Sequence, residues 1–96
     1  MNKIQRLIIE QTPNTPEVNL DHLTGELILS GRSIPENAGK LYEPVMNWVT
    51  EYILNARPTT NLRFDLEYFN TASSIWLAKI LNVLVRIDKP DYIVIL

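Results

Sequence analysis

Residues 62–87 constrain the fold more than any other part of this chain. Leu62, Phe64, Leu66 and Tyr68 are apolar and alternate with the charged Arg63, Asp65 and Glu67. That is the period-two pattern of a strand with one buried face. From Ile75 to Ile87 the chain is strongly apolar, and its polar residues Lys79, Asn82 and Arg86 share one helical stripe. The change from strand to helix therefore falls on Asn70, Thr71, Ala72, Ser73 and Ser74, all but Ala72 being residue types favoured at a helix N-cap. A helix start presents unpaired backbone N–H groups and the positive end of the helix dipole. Hydroxyls placed there can cap the helix, which is their ordinary role, or carry a phosphate in surroundings that tolerate negative charge.

The rest of the chain can be built outward from this unit. Ile4 to Ile9 reads as a first strand, and the proline-bearing segment Thr12 to Pro16 cannot continue it. Glu17 to Leu20 and Glu26 to Ser30 read as two strands of an antiparallel hairpin, joined by a turn in which Gly25 can take a positive φ. Ser33 and Glu36 have capping-box spacing ahead of a helix over about residues 36–54, whose apolar face is Leu41, Val45, Trp48, Val49 and Tyr52. Pro44 should kink that helix or mark a restart, and Pro58 lies beyond its end. Asp88, Lys89 and Pro90 make a turn after the second helix. Tyr92 to Leu96 is apolar on both alternations, so it is expected inside the sheet with its second face covered by a further segment or another chain.

The expected fold is a single α/β domain over residues 1–96 with a mixed sheet in two layers. An N-terminal hairpin precedes a βαβαβ unit, and both helices lie on one sheet face because Arg63, Asp65 and Glu67 mark the other as polar.

Several functions have little support. The net charge is −2, with basic and acidic residues mixed along the chain, so neither nucleic acid nor an anionic membrane is an expected partner. There is no cysteine, no apolar run long enough to span a membrane and no signal-peptide pattern, and a soluble cytoplasmic domain is expected. The single histidine, His22, sits beside a turn without further metal-like ligands, and three glycines form no phosphate loop. Asp65 and Glu67 read as an exposed charged face rather than an acid–base pair. Neither an enzyme, a metal site nor a cofactor is expected. Trp48 and Trp76 are expected in the core or at an interface, with Trp76 partly exposed beside the helix start.

Three blocks carry a family likeness. They are Thr15 to Val18 with Gly25 and Leu29 to Gly31; Ser33 to Asn37 with Tyr42 to Val45, Trp48 and Tyr52; and Leu66 to Ser74. Together they resemble the SiaC family of bacterial regulatory phosphoproteins, which are similar to anti-sigma factor antagonists of the STAS type. The resemblance implies a STAS-like domain acting as a phosphorylation-controlled, protein-binding switch in a partner-switching pathway. It implies Thr71 as the phosphorylated residue, with a dedicated kinase, a serine/threonine phosphatase and a diguanylate cyclase, or a similar effector, as partners. The unmodified form would bind and regulate the cyclase, and hence cyclic-di-GMP output, and the phosphate would block this. Asn70, Ser73, Ser74 and Trp76 would form the docking surface around Thr71, while Tyr68 would serve packing. Trp76 stands where family members often carry a polar or basic residue. Members continue past the last strand into an acidic segment, which a chain ending at Leu96 would lack. The alternative is a STAS-like docking or structural module in which Asn70 to Ser74 only caps a helix.

Overall fold

A computed structural model describes residues 4–86 and the backbone of residues 93–95. The elements are β1 (Leu7–Ile9), β2 (Glu17–Asp21), β3 (Glu26–Ser33), α1 (Ala38–Tyr52) with a 3₁₀ turn (Ile53–Asn55), β4 (Thr59–Phe69), α2 (Thr71–Leu84) and β5 (Ile93–Ile95). The expected turn at Asp88 to Pro90, the helix end at Ile87, and Tyr92 and Leu96 lie outside the described residues.

The strands form one mixed sheet in the order β1-β2-β3-β4-β5. The first three are antiparallel neighbours, while β4 runs parallel to both β3 and β5. The hairpin expected between β2 and β3 is present. Its turn is closed by the Gly25 amide donating to the Asp21 carbonyl, with Gly25 at φ +78. Asp21 Oδ1 accepts from the Leu23 amide, and this bond leads the causes that hold its carboxyl pKa below the usual value.

One sheet face carries Val18, Leu20, Leu27, Leu29 and Leu62, all buried, and both helices supply the opposing layer through Tyr42, Val45, Val49, Tyr52, Leu77, Ile80 and Leu84. Each such large aliphatic side chain withdrawn from water contributes about 1.5–3 kcal/mol before chain entropy is charged. Arg63, Asp65 and Glu67 are exposed, as the two-layer expectation requires.

Three expectations need correction. Ser33 is not a helix cap: β3 runs on to it, and Asn37 caps α1 by accepting from the Lys40 amide. Of the two outcomes expected at Pro44, the restart is excluded, because the helix runs unbroken from Ala38 to Tyr52 with Pro44 inside it. Finally, among the described residues β5 lies at the edge of the sheet rather than inside it, pairing Ile93 to Ile95 with Thr59 to Asn61.

A further irregularity redirects the end of β4. Gly31 pairs with Leu66, but Arg32 pairs with Tyr68, so Glu67 is the extra residue of a bulge. Gly31 sits at φ +112, a conformation open to glycine. The added residue reverses the alternation. Tyr68, expected to pack, is 60% exposed instead, and Phe69 turns to the helix side.

Candidate functional site

The end of β4 delivers the chain directly into α2. Asn70 is extended, at φ −87 and ψ 174, and its Oδ1 accepts from the Ser73 amide at 2.9 Å. Its carbonyl accepts from the Ser74 amide at 3.0 Å, and its own amide donates to the Ser33 carbonyl at 3.0 Å. Asn70 is therefore the complete N-cap. Thr71, the first helical residue, is exposed, and among the described residues its hydroxyl makes no hydrogen bond. With Ser73 and Ser74 satisfied by Asn70, the amides of Thr71 and Ala72 are the donors that helix geometry leaves open. A phosphate on Thr71 would stand at the positive end of α2 beside these donors.

Replacing Asn70 by alanine should cost about 1 kcal/mol, within the usual 0.5–2 kcal/mol for a cap. That lowers the melting temperature of a domain this size by about 4–8 °C. Replacing Thr71 by alanine should leave it nearly unchanged. Thermal unfolding of the two variants beside the parent checks both.

The next residues differ in role. Ser74 is half-buried and donates to the Thr71 carbonyl at 2.7 Å. Ser73, expected on the docking surface, is fully buried. Its hydroxyl donates to the Ser33 carbonyl at 2.9 Å and accepts from Ser33 Oγ at 2.8 Å. It can influence docking only by holding the helix in place. Trp76 is half-buried and stacks on Tyr42 with ring centroids 6.2 Å apart, while Lys79 Nζ lies 4.8 Å from its ring centre. Trp76 thus joins α2 to α1 and keeps one part in solvent.

Three large apolar side chains close to Thr71 in the chain are exposed. Tyr68 is 60% exposed, Phe69 48% and Ile75 53%. Beside them runs a shallow groove between β4 and α2, lined chiefly by Phe64, Leu66, Phe69, Leu77 and Leu81. The sequence pattern identifies Asn70, Thr71, Ser73, Ser74 and Trp76, and the structure brings all five together on the first turns of α2 and its cap. Tyr68, Phe69, Ile75, Ser33 and Tyr42 escape it. Only the glycine at position 31, a cue for a bulge, hints at the exposure of Tyr68.

Tyr42 is fully buried, and its hydroxyl contacts Ser33 Oγ. Burial raises its pKa above the ordinary 10.0, against the opposing effect of the hydroxyls of Ser33, to which it is bonded, and of nearby Ser73. The unfolded chain therefore releases this proton first. The tyrosine's contribution to stability is full below about pH 10 and declines as pH climbs through the folded value. Denaturant midpoints measured from pH 9 to 11 should fall less steeply for Tyr42→Phe than for the parent. Parallel slopes would contradict this.

Among the described residues no cluster of three potential metal ligands occurs, and no helix is long and apolar enough to cross a membrane. The fold and this helix start define the class of protein: a small mixed-sheet domain with an exposed threonine opening its second helix. The SiaC profile, described as SiaC family regulatory phosphoprotein, matches residues 9–95, and the chain belongs to that family. Apo-SiaC from Pseudomonas aeruginosa has 30% sequence identity and a TM-score of 0.85, over 94% of this chain and 74% of that one. SiaC in the crystal structure of diguanylate cyclase SiaD in complex with its activator SiaC, also from P. aeruginosa, has 31% identity and a TM-score of 0.83, over 92% and 72%. An uncharacterised protein of P. aeruginosa strain UCBPP-PA14 is 33% identical over 78 residues, 81% of this chain. This chain spans 62% of that relative's length.

Proposed function

We propose that this protein is a phosphorylation-controlled binding switch whose unmodified form docks on and regulates a diguanylate cyclase. Thr71 carries the phosphate, added by a dedicated kinase and removed by a serine/threonine phosphatase, and the setting is a cytoplasmic partner-switching pathway. The protein itself catalyses nothing in this scheme.

The observation that carries the reading is the free hydroxyl of Thr71. Asn70 provides the cap alone, so Thr71 is not needed for capping. It is exposed, and three large apolar side chains close to it in the chain, Tyr68, Phe69 and Ile75, are exposed as well. Exposed apolar groups suit a partner surface, and about −1.5 to −2 units of charge added beside them would oppose desolvation on docking. Trp76 and Ser74 contribute exposed atoms to that surface, while Asn70 and Ser73 hold it in position. The relative in the SiaD complex is named there as the cyclase's activator, which favours a cyclase as the partner class.

Co-expression with the products of the neighbouring genes, followed by phosphopeptide mapping, tests the assignment. The phosphate should map to Thr71 and disappear in Thr71→Ala. Labelling that persists in that variant would favour the alternative, a docking module whose helix start serves only as a cap.

A further inference from the structure

Beneath the exposed turn of α2 lies a buried set of three hydroxyls with one consistent direction. Ser33, Tyr42 and Ser73 are each 0% exposed. Ser73 Oγ lies 2.9 Å from the Ser33 carbonyl, which can only accept, so Ser73 donates. Ser33 Oγ then donates to Ser73 Oγ at 2.8 Å. Its proton being used, Ser33 Oγ accepts from the Tyr42 hydroxyl. Every proton has an acceptor, and the run of bonds joins α1, the end of β3 and the first turn of α2.

That turn has little else to hold it inward. Thr71, Ala72 and Ile75 are exposed and Ser74 is half-buried, so Ser73 is its one fully buried side chain, and the next buried residue is Leu77. Tyr42 braces the helix twice, through its hydroxyl and through the ring on which Trp76 stacks.

We infer that Ser33, Tyr42 and Ser73 are positioning residues for the switch: their hydroxyl chain sets the placement of α2's first turn, and with it the presentation of Thr71 and the docking surface. This rests on the reading of Thr71 given above.

The direction of the chain makes a distinctive prediction. Tyr42→Phe removes the terminal donor and leaves no buried proton unpaired. Ser73→Ala leaves one, on Ser33 or on Tyr42. Adding Tyr42→Phe to Ser73→Ala still leaves one. The double variant should therefore behave like Ser73→Ala alone, whereas independent contacts would show additive losses.

Hydrogen exchange on the 96-residue protein provides the readout, with no partner present. In Ser73→Ala, amides of residues 73–76 should exchange about fivefold faster, the scale of one buried hydrogen bond, with those of 45–49 and 80–84 unchanged. Tyr42→Phe should show a smaller increase, and the double variant no more than Ser73→Ala. Affinity for a diguanylate cyclase from the same genome should fall in the same order with Thr71 intact. Should Ser73→Ala fail to fold, Ser33→Ala replaces it: that change strands the Tyr42 proton, so adding Tyr42→Phe should lessen the loss rather than add to it. Additive effects, unchanged exchange at 73–76, or faster exchange with unaltered cyclase affinity would overturn the inference. Exchange is measured without a partner, so a cyclase affinity indifferent to Thr71→Glu would count against the Thr71 reading and not against the chain.

Discussion

Thr71→Glu should weaken binding to the cyclase by about 10- to 100-fold, or about 1.4–2.8 kcal/mol, while Thr71→Ala should bind as the parent does. The difference follows from where the hydroxyl sits. Thr71 is exposed and makes no hydrogen bond among the described residues, so alanine removes nothing that the fold uses. Glutamate adds a charge to a segment whose exposed neighbours include Tyr68, Phe69 and Ile75, and docking on an apolar partner surface must strip its water without supplying a counter-ion. The same charge stands at the positive end of α2, so the isolated domain should not be destabilised. Calorimetric titration and thermal melts of the same three proteins separate the effects. A matching loss of melting temperature in Thr71→Glu would mean that the helix start had been damaged rather than its surface charged.

Gly25→Ala should produce the largest loss of stability, about 3 kcal/mol or more, with a melting temperature lower by over about 10 °C. Gly25 holds φ +78, and a Cβ there would lie 2.4 Å from the Thr59 carbonyl oxygen and 3.2 Å from the Tyr52 hydroxyl. The first contact is with backbone and cannot be relieved by a rotamer change. The Gly25 carbonyl also accepts from the Asn61 amide at 2.8 Å, so relief would part the starts of β3 and β4 at the base of the sheet. Gly31 offers a comparison. Its φ is +112, but the atom facing a Cβ there, at 3.0 Å, belongs to the Gln11 side chain, which can swing away. Gly31→Ala should therefore cost clearly less. At Gly39 the contacts start at 3.5 Å, and alanine should be neutral or stabilising. Denaturant unfolding of the three variants should rank them in that order. A Gly25→Ala loss below that of Gly31→Ala would contradict the geometry.

The parts legible in the sequence are those in which one local pattern carries the answer. The alternation from Leu62 to Leu66 and the hydroxyl-rich Asn70 to Ser74 locate the end of β4 and the start of α2. The polar face of Arg63, Asp65 and Glu67 places both helices on the other side. What stays hidden depends on a partner strand or on competition between plausible roles. Tyr68 continues the apolar alternation, yet a bulge opposite Gly31 and Arg32 turns it outward. Ser33 and Glu36 have capping spacing, but Asn37 takes the cap and Ser33 remains in β3, bonded to a residue forty positions away. An all-apolar Ile93 to Ile95 suggests an interior strand, although among the described residues it pairs only with Thr59 to Asn61, at the edge. Spacing along one segment holds no information about register across a sheet.

The central claim is that one phosphate on Thr71 decides whether this surface binds. The direct measurement is calorimetric titration of the cyclase with unmodified protein and with protein phosphorylated stoichiometrically on Thr71, with cyclic-di-GMP production followed in the same samples. Unmodified protein should bind and change cyclase output, and the phosphorylated form should bind at least about tenfold more weakly, a difference of about 1.4 kcal/mol, with output near that of the cyclase alone. Equal affinity and equal output for the two forms would contradict the account.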